Sequence, residues 1–296
     1  MKIKKYISGL KIIAYIPLVF MLLGVLFNAC DEIDEPYVEE DAIVWHGRKI
    51  LIMEFTAHRC PNCPEGHEEI ENLQSAFPEA IVTVAVHCGL DAMPVTSDTT
   101  EPYHYDFTSD ISIELGGDGG ITSDGYFNIS GKPTATINEF APGNLFNVQA
   151  WRSEVAKYIQ TYPEYSIDID ADYSEHDSLM SADVSVEAVL DSKRNLHLCV
   201  YVVESNIIEW QKTLEDPDGV EDYQHNHVLR ASMNGVYGEN INSGNANITV
   251  GYEFTRTYGM AVDDEWDPQH LHVVAFVYDS DSYEVLQSEE IPLFDQ

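Results

Sequence analysis

The chain has 296 residues and a formal net charge of −36, from 51 Asp and Glu against 15 Lys and Arg. Hydrophobic residues make up 44% and aromatic residues 11%, the content of packed domains rather than of a solvated, disordered polymer. The length allows one or two domains, each with its own core, and so negative a surface excludes nucleic-acid binding and polybasic docking to anionic lipid.

The first segment reads as an address. Lys2, Lys4 and Lys5 precede an uncharged run from Ile12 to Ala29, which ends at Cys30. A basic start, a short apolar stretch and a small residue before the cut make a secretory signal over residues 1–29. The alternative is an uncleaved anchor, but Pro17 and Gly24 interrupt a run already marginal for a bilayer of roughly 30 Å. Cys30 directly after Ala29 resembles a lipoprotein signal, with Phe27 in place of the usual Leu and Asn28 larger than the usual small residue. That resemblance implies that Cys30 becomes an acylated N-terminus inserted in a lipid bilayer. Residues 30–46 form a tether rich in acids, among them Asp31, Glu32, Asp34, Glu35, Glu39, Glu40 and Asp41; such a run repels itself and stays extended. It is similar to the acidic segment after the lipidated cysteine in surface-exported Bacteroidetes lipoproteins, which implies a lipid-anchored outer-membrane protein facing outward. A periplasm-facing anchor is the alternative.

Residues 47–162 alternate strand and helix. Ile50 to Phe55 is an apolar run of strand length, and Ile70, Leu73 and Phe77 then share one helical face until Pro78. Ala80 to Val86 reads as a second buried strand and Thr134 to Ile137 as the start of a third. Leu145, Val148, Trp151, Val155 and Ile159 recur at helical spacing until Pro163. The alternation predicts an α/β layer structure.

From residue 163 to 296 the period is two. Ile167, Ile169 and Ala171, then Ala182, Val184, Val186 and Ala188, then Ile248, Val250, Tyr252 and Phe254 alternate with polar residues, and Leu271 to Tyr278 closes as a strand. This predicts a separate antiparallel β-sandwich domain. Ser205 to Asn247 is long and weakly patterned, the kind of connection that is functional or mobile.

The chemistry concentrates at the first strand–helix junction, where Cys60-Pro61-Asn62-Cys63 follows Phe55-Thr56-Ala57-His58-Arg59. Two cysteines at this spacing can close a disulfide. A sulfur at a helix N-terminus faces unpaired N–H groups and the positive end of the dipole, which favour the thiolate. Arg59, and His58 if protonated, would add to this, as would Lys132. Cys60 is then the attacking sulfur and Cys63 the resolving one. Two other readings stay open: a purely structural disulfide, and metal binding by His58, Cys60, Cys63 and His67. Cys88 and Cys199 read as small buried residues. His225-x-His227 and His270-x-His272 would each put two imidazoles on one side of an extended chain, as strand surface or as a metal site. Asp216 to Asp222 reads as a turn, and Gly116-Gly117-Asp118-Gly119-Gly120 follows no buried strand, so it is no phosphate loop.

On these residues the segment resembles the thioredoxin superfamily. The resemblance implies a thioredoxin-like fold for residues 47–162, with Glu54 as the buried acid that moves the second cysteine's proton. Gly131-Lys132-Pro133-Thr134 would be the cis-proline turn, with Pro133 beside the dithiol. Arg59 departs from the usual aromatic residue, and about thirty extra residues, Gly89 to Ser130, precede Pro133. More narrowly, Phe55 to Pro64, His225-Asn226-His227-Val228-Leu229-Arg230 and Leu271 to Val277 resemble the Bacteroidetes 28-kDa outer-membrane-protein-related lipoproteins. That family implies a location and a β-rich C-terminal domain but no reaction.

Two functions compete on this reading. One is a membrane-anchored thiol–disulfide oxidoreductase acting on protein or small-molecule thiols and disulfides, which needs no metal or cofactor. The other is a non-enzymatic surface lipoprotein whose β-sandwich binds a ligand while the C-x-x-C is a staple.

Overall fold

The computed structural model describes residues 45–294. The signal at residues 1–29, the lipidation site Cys30 and nearly all of the acidic tether lie outside the described residues. Within them the protein is mostly β-sheet with few helices.

The first stretch contains β1 (Ile50–Thr56), α1 (Cys63–Ala76), β2 (Ile81–His87), α2 (Asp110–Gly116), β3 (Thr134–Ile137) and α3 (Val148–Tyr158). It is followed by β4 (Tyr165–Ser174), β5 (Leu179–Ala188), the short β6 (Ser192–Lys193), β7 (Leu196–Glu204), β8 (Ile207–Gln211), β9 (Val220–His225) and β10 (Val228–Ser232). The chain ends in the short β11 (Glu239–Asn240) and β12 (Asn247–Ile248), then β13 (Glu253–Ala261), β14 (Leu271–Asp279) and β15 (Val285–Pro292). The strands and helices expected at the first cysteine pair, at Ala80 to Val86, at Thr134 and before Pro163 are therefore present. The strand expected from Ile248 to Phe254 is not continuous. Gly251 turns the chain at φ +81°, Val250 is 60% exposed, and regular pairing resumes only at Glu253.

The two halves do not form separate sheets. An eight-stranded sheet runs β15-β14-β7-β10-β2-β1-β3, with β11 pairing on β7. β1 and β2 are parallel and β3 is antiparallel to β1. The joint is β10, which lies parallel to β2 at Val228 opposite Ala85 and antiparallel to β7 on its other side. The amide of Ala85 donates to the carbonyl of His227 at 2.8 Å, which ties the joint on the same edge.

Side chains alternate across this sheet with period two. Leu51, Met53 and Phe55 of β1 share one apolar cluster with Cys199, Tyr201 and Val203 of β7 and with Val274, Phe276 and Tyr278 of β14. That cluster spans both halves of the chain and is covered by Ile111 and Leu115 of α2 with Phe127 and Phe140. The opposite face has two covers. Ile50 and Ile52 pack against Ile70 and Leu73 of α1 and Trp151 and Val155 of α3. Farther along, Leu198, Val200, Val273 and Ala275 pack against the β13-β5-β4 sheet through Val184, Val186 and Ile167.

The period change near Pro163 marks where a helix gives way to strands; one apolar cluster on each side stays within its own half, and a third spans both. A shared sheet with a common buried face joins what the sequence pattern suggests as two domains.

Candidate functional site

β1 ends at Thr56, and the chain turns through Ala57 to Asn62 before α1 begins at Cys63. Pro64 sits in the helix's first turn, where the missing N–H costs nothing. Cys60 therefore lies in the turn ahead of the helix and Cys63 at its first position. The two are joined as a disulfide. Cys63 is fully buried, whereas Cys60 is 6% exposed and borders an open cleft of about 580 Å³.

That cleft runs past Gly89, Leu90 and Asp91 and past Gly116 and Gly119 to Lys132. The extra residues after Gly89 thus do two jobs. They cover the shared sheet face through α2, and they form the wall opposite Cys60. Ser109 starts α2 with a reciprocal capping box to Ser112, which satisfies two helix-end N–H groups. A Cβ on Gly116 would stand 2.5 Å from Cβ of Cys88, so that wall requires glycine there.

Pro133 follows a cis peptide bond from Lys132, and the carbonyl oxygen of Lys132 lies 3.8 Å from Sγ of Cys60. The Lys132 ammonium does not face the sulfur. Its Nζ donates to the carbonyl of Cys88 at 2.6 Å and lies 3.7 Å from Asp91. His58 likewise supplies no positive charge. Burial, with Arg59 and Lys132 nearby, pushes its pKa down to about 3, and its ring stacks on Tyr103 with centroids 5.5 Å apart. Of the charges expected to favour a Cys60 thiolate, Arg59 remains adjacent in sequence, with its guanidinium donating to the carbonyl of Leu90.

Glu54 lies inside the protein, 1% exposed. Its Oε1 has no hydrogen-bond partner and lies 3.8 Å from Nε2 of His67 on α1. Burial pushes its pKa up to about 8, so it is mostly protonated at neutral pH. His67 accepts or donates through Nε2 to Thr56 Oγ1 at 3.0 Å and through Nδ1 to the hydroxyl of Tyr223 at 2.7 Å. Burial pushes its pKa down to about 4. Among the described residues no group of three or more His, Cys, Asp or Glu is placed to hold a metal ion.

The sequence pattern did not point to the hairpin of β8 and β9, which closes over this turn from the second half of the chain. Gln211 is fully buried, and its Nε2 donates to the carbonyls of Cys60 at 3.0 Å and Ala57 at 3.5 Å. The amide of Lys212 donates to the carbonyl of His58 at 2.8 Å. β9 adds Tyr223 and His225. Of the expected turn at Asp216 to Asp222, residues 216–219 lie at the tip of this hairpin, where the Asp216 carboxylate accepts from the amide of Asp218 at 3.2 Å, while Val220 to Asp222 already belong to β9.

The two His-x-His pairs do not form as expected. His225 is buried, its ring 4.4 Å from that of Phe107 and 5.8 Å from that of His87. His227 has φ +57°, which breaks the extended chain and sends its ring elsewhere. His270 closes a short 3₁₀ turn, Pro268–His270. His227 and His272 instead converge on Oε1 of Glu290, at 3.6 and 2.9 Å. Cys88 and Cys199 are free and buried, and burial pushes the Cys88 thiol up to about 11.

The family described as outer membrane protein Omp28 matches residues 121–292, well over half of the chain. The matched span begins after the Cys60–Cys63 turn. No match to a curated protein sequence was found. Among solved structures, HBP35 of Porphyromonas gingivalis is similar in fold, with a TM-score of 0.58 at 19% identity over 83% of this chain and 76% of that one. A domain of the outer membrane lipoprotein Omp28 from the same organism is also 19% identical, over 46% of this chain and 93% of its own, with a TM-score of 0.30.

Proposed function

The chain belongs to the outer membrane protein Omp28 family, and within it we propose a lipid-anchored thiol–disulfide oxidoreductase whose first half is thioredoxin-like and whose β4-β5-β13 layer completes a sandwich. The outer membrane is its location, Cys30 its acylation site, and the acidic tether an export segment that carries it to the cell surface. Its partners are the bilayer and protein or small-molecule thiols and disulfides.

One observation carries the reading: the disulfide presents its two sulfurs unequally. Cys60 borders an open cleft while Cys63 is sealed beneath it. In the reduced protein the Cys60 thiolate attacks one sulfur of a substrate disulfide and expels the other as a thiolate. Glu54, once it has lost its own proton, takes the proton of Cys63, which attacks Sγ of Cys60, so the internal disulfide forms and the second substrate thiolate leaves. Two electrons pass from the dithiol to the substrate disulfide. The Lys132 carbonyl and Pro133 flank the attacked sulfur and offer main chain to an extended substrate.

A second reading has its own support. Cys60 is only 6% exposed, and Gln211 bolts its carbonyl to the β8–β9 hairpin. Both suit a structural staple in a binding lipoprotein whose sandwich takes a surface ligand. Trapping separates the two. With Cys63→Ser, Cys60 should hold mixed disulfides with envelope or extracellular proteins, and Cys60→Ser should hold none. A reduction potential above roughly −300 mV accompanies the enzyme. A lower potential, with nothing trapped by either variant, marks the staple.

A further inference from the structure

Apart from the cleft beside Cys60, the protein contains a smaller and more enclosed cavity of about 50 Å³. Its lining includes Glu54 from β1, His67 from α1, Thr83 and His87 from β2, and Tyr223 and His225 from β9. The lining mixes polar groups with Ile70 and Ala85, and several of the polar groups are unsatisfied. Glu54 Oε1, Thr83 Oγ1 and both ring nitrogens of His87 and of His225 are buried without a protein partner. An orphaned buried donor or acceptor costs about 1–3 kcal/mol. A space of this size that offers several polar partners has room for water.

From Glu54 the polar groups continue in one direction. His67 Nε2 is 3.8 Å from Glu54 Oε1, within reach through one water or a small carboxyl rotation. His67 Nδ1 meets the Tyr223 hydroxyl at 2.7 Å, and Tyr223 is half-buried, at the edge of the protein. A neutral imidazole can take a proton on one nitrogen while losing one from the other, so no imidazolium need form in this buried place.

We propose that His67 and Tyr223, with water held in this cavity, form the route by which Glu54 exchanges its proton with solvent, so that a residue of the second half of the chain completes the thiol chemistry of the first. The inference rests on the oxidoreductase reading. When the dithiol is oxidised, the protonated Glu54 passes its proton to Nε2 of His67, and the carboxylate so formed takes the proton of Cys63. The Nδ1 proton passes to the Tyr223 oxygen, and the Tyr223 hydroxyl proton leaves to solvent water. His67 ends with its proton on Nε2. When the disulfide is reduced again, Cys63 needs a proton, the transfers run inward, and the first tautomer returns. One full cycle therefore resets the relay.

The groups around His67 are Glu54 and Thr56 from β1, His87 from β2, Tyr223 and His225 from β9, and Glu71 of its own helix. His87 and His225 are held neutral by burial, their pKa values well below 6.5. Tyr223 is held protonated by burial, with Glu54 and Glu71 adding to the effect. At neutral pH the path thus runs through uncharged groups.

The test uses the full chain, reduced, in single turnover with 5,5′-dithiobis(2-nitrobenzoate). Attack by Cys60 releases the first coloured thiolate and resolution by Cys63 releases the second. Tyr223→Phe removes one hydroxyl and keeps the ring, and His67→Gln removes the two-sided relay. Both should leave the first phase unchanged and slow the second at least about tenfold between pH 6 and 8, with an altered pH profile and a changed rate ratio between H₂O and D₂O. If His67→Gln does not fold, Tyr223→Phe carries the test. A wild type with two phases and variants with an unchanged second phase would overturn the relay and leave the oxidoreductase standing. Equal slowing of both phases would overturn it too, as a general disturbance of the turn. A wild type with no second phase would remove the oxidoreductase reading and the relay together.

Discussion

Gly66 makes room for the carboxyl of Glu54. A Cβ at Gly66 would stand 2.5 Å from Glu54 Oε1 and 3.0 Å from both Pro133 Cβ and a ring carbon of Trp151. One missing side chain on α1 thus brings the helix down onto the acid, the proline turn and α3 at once. In an open helix, Gly→Ala stabilises by about 1 kcal/mol. Here the added methyl has no free space, and overpacking costs about 1–3 kcal/mol. Gly66→Ala should therefore lower stability by about 1 kcal/mol, read as a reduced urea midpoint. In a Glu54→Ala background the loss should shrink, because the nearest of the three neighbours is gone.

Burial of ionisable groups around this point gives stability a definite pH profile. Glu54 is pushed up from 4.5 to about 8, so between those values the folded protein keeps a proton that the unfolded chain has released. The contribution of this group is complete below pH 4.5 and is lost as pH rises through 8, at up to about 1.4 kcal/mol per pH unit. The histidines act in the opposite sense. His58 is pushed down to about 3, His67 to about 4, and His87 and His225 well below 6.5, in each case chiefly by burial. As pH falls below 6.5, the unfolded chain binds protons that the folded protein refuses, and stability falls. These four outweigh one carboxyl on the acid side, so the oxidised protein should be most stable near pH 6.5. Glu54→Gln should flatten the decline between pH 6.5 and 8 and leave the acid limb in place. Denaturation curves from pH 5 to 8.5 measure both limbs; an unchanged alkaline slope in the variant would contradict the account.

What the sequence disclosed and what it withheld follow from the range of the forces involved. β1 and β2 are buried on both faces, so they read as unbroken apolar runs, and the Cys60–Cys63 turn with Glu54 and Pro133 carries a local motif. Gln211, Tyr223 and His225 reach the same place only because β8 and β9 fold over it from a segment without clear periodicity. In β9 only His225 is fully buried, and one residue makes no pattern. The joint at β10 was equally hidden, since Val228, Leu229 and Arg230 are three buried residues whose partners lie far away in the chain. The alternation at Ile248 to Phe254 misled because Gly251 turns the backbone where period two alone suggests continuation.

Lipidation gives a direct biochemical prediction. Cys30 directly follows Ala29, after a basic start and an uncharged run. Cys30→Ala should leave the precursor unacylated and move the protein out of the outer-membrane fraction. Intact mass and membrane partitioning measure the two effects, and a variant matching the wild type in both would rule out a lipid anchor at this residue.

The shared sheet predicts how the two halves depend on each other. Arg230 on β10 donates through Nε to Glu204 of β7 at 2.7 Å, with both side chains buried, 4% and 5% exposed, and its guanidinium also donates to the hydroxyl of Tyr105. Glu204 further accepts from the amide of Asp267 at 2.9 Å. Removing one partner strands the other charge, at a cost of about 3–5 kcal/mol, whereas replacing both by apolar residues can be nearly neutral. Arg230→Met should therefore be strongly destabilising, and Arg230→Met with Glu204→Met much less so. The same joint bears on dissection of the chain. A fragment of residues 163–296 would expose Cys199, Tyr201, Val274 and Phe276 along with the free edge of β10, a sheet face and an edge that the first half covers. It should not melt cooperatively alone, and it should aggregate through that edge. Adding residues 45–162 as a separate chain should restore near-ultraviolet circular dichroism if the shared sheet reassembles. A fragment that melts sharply as a monomer would show instead that β10 joins two domains already stable apart.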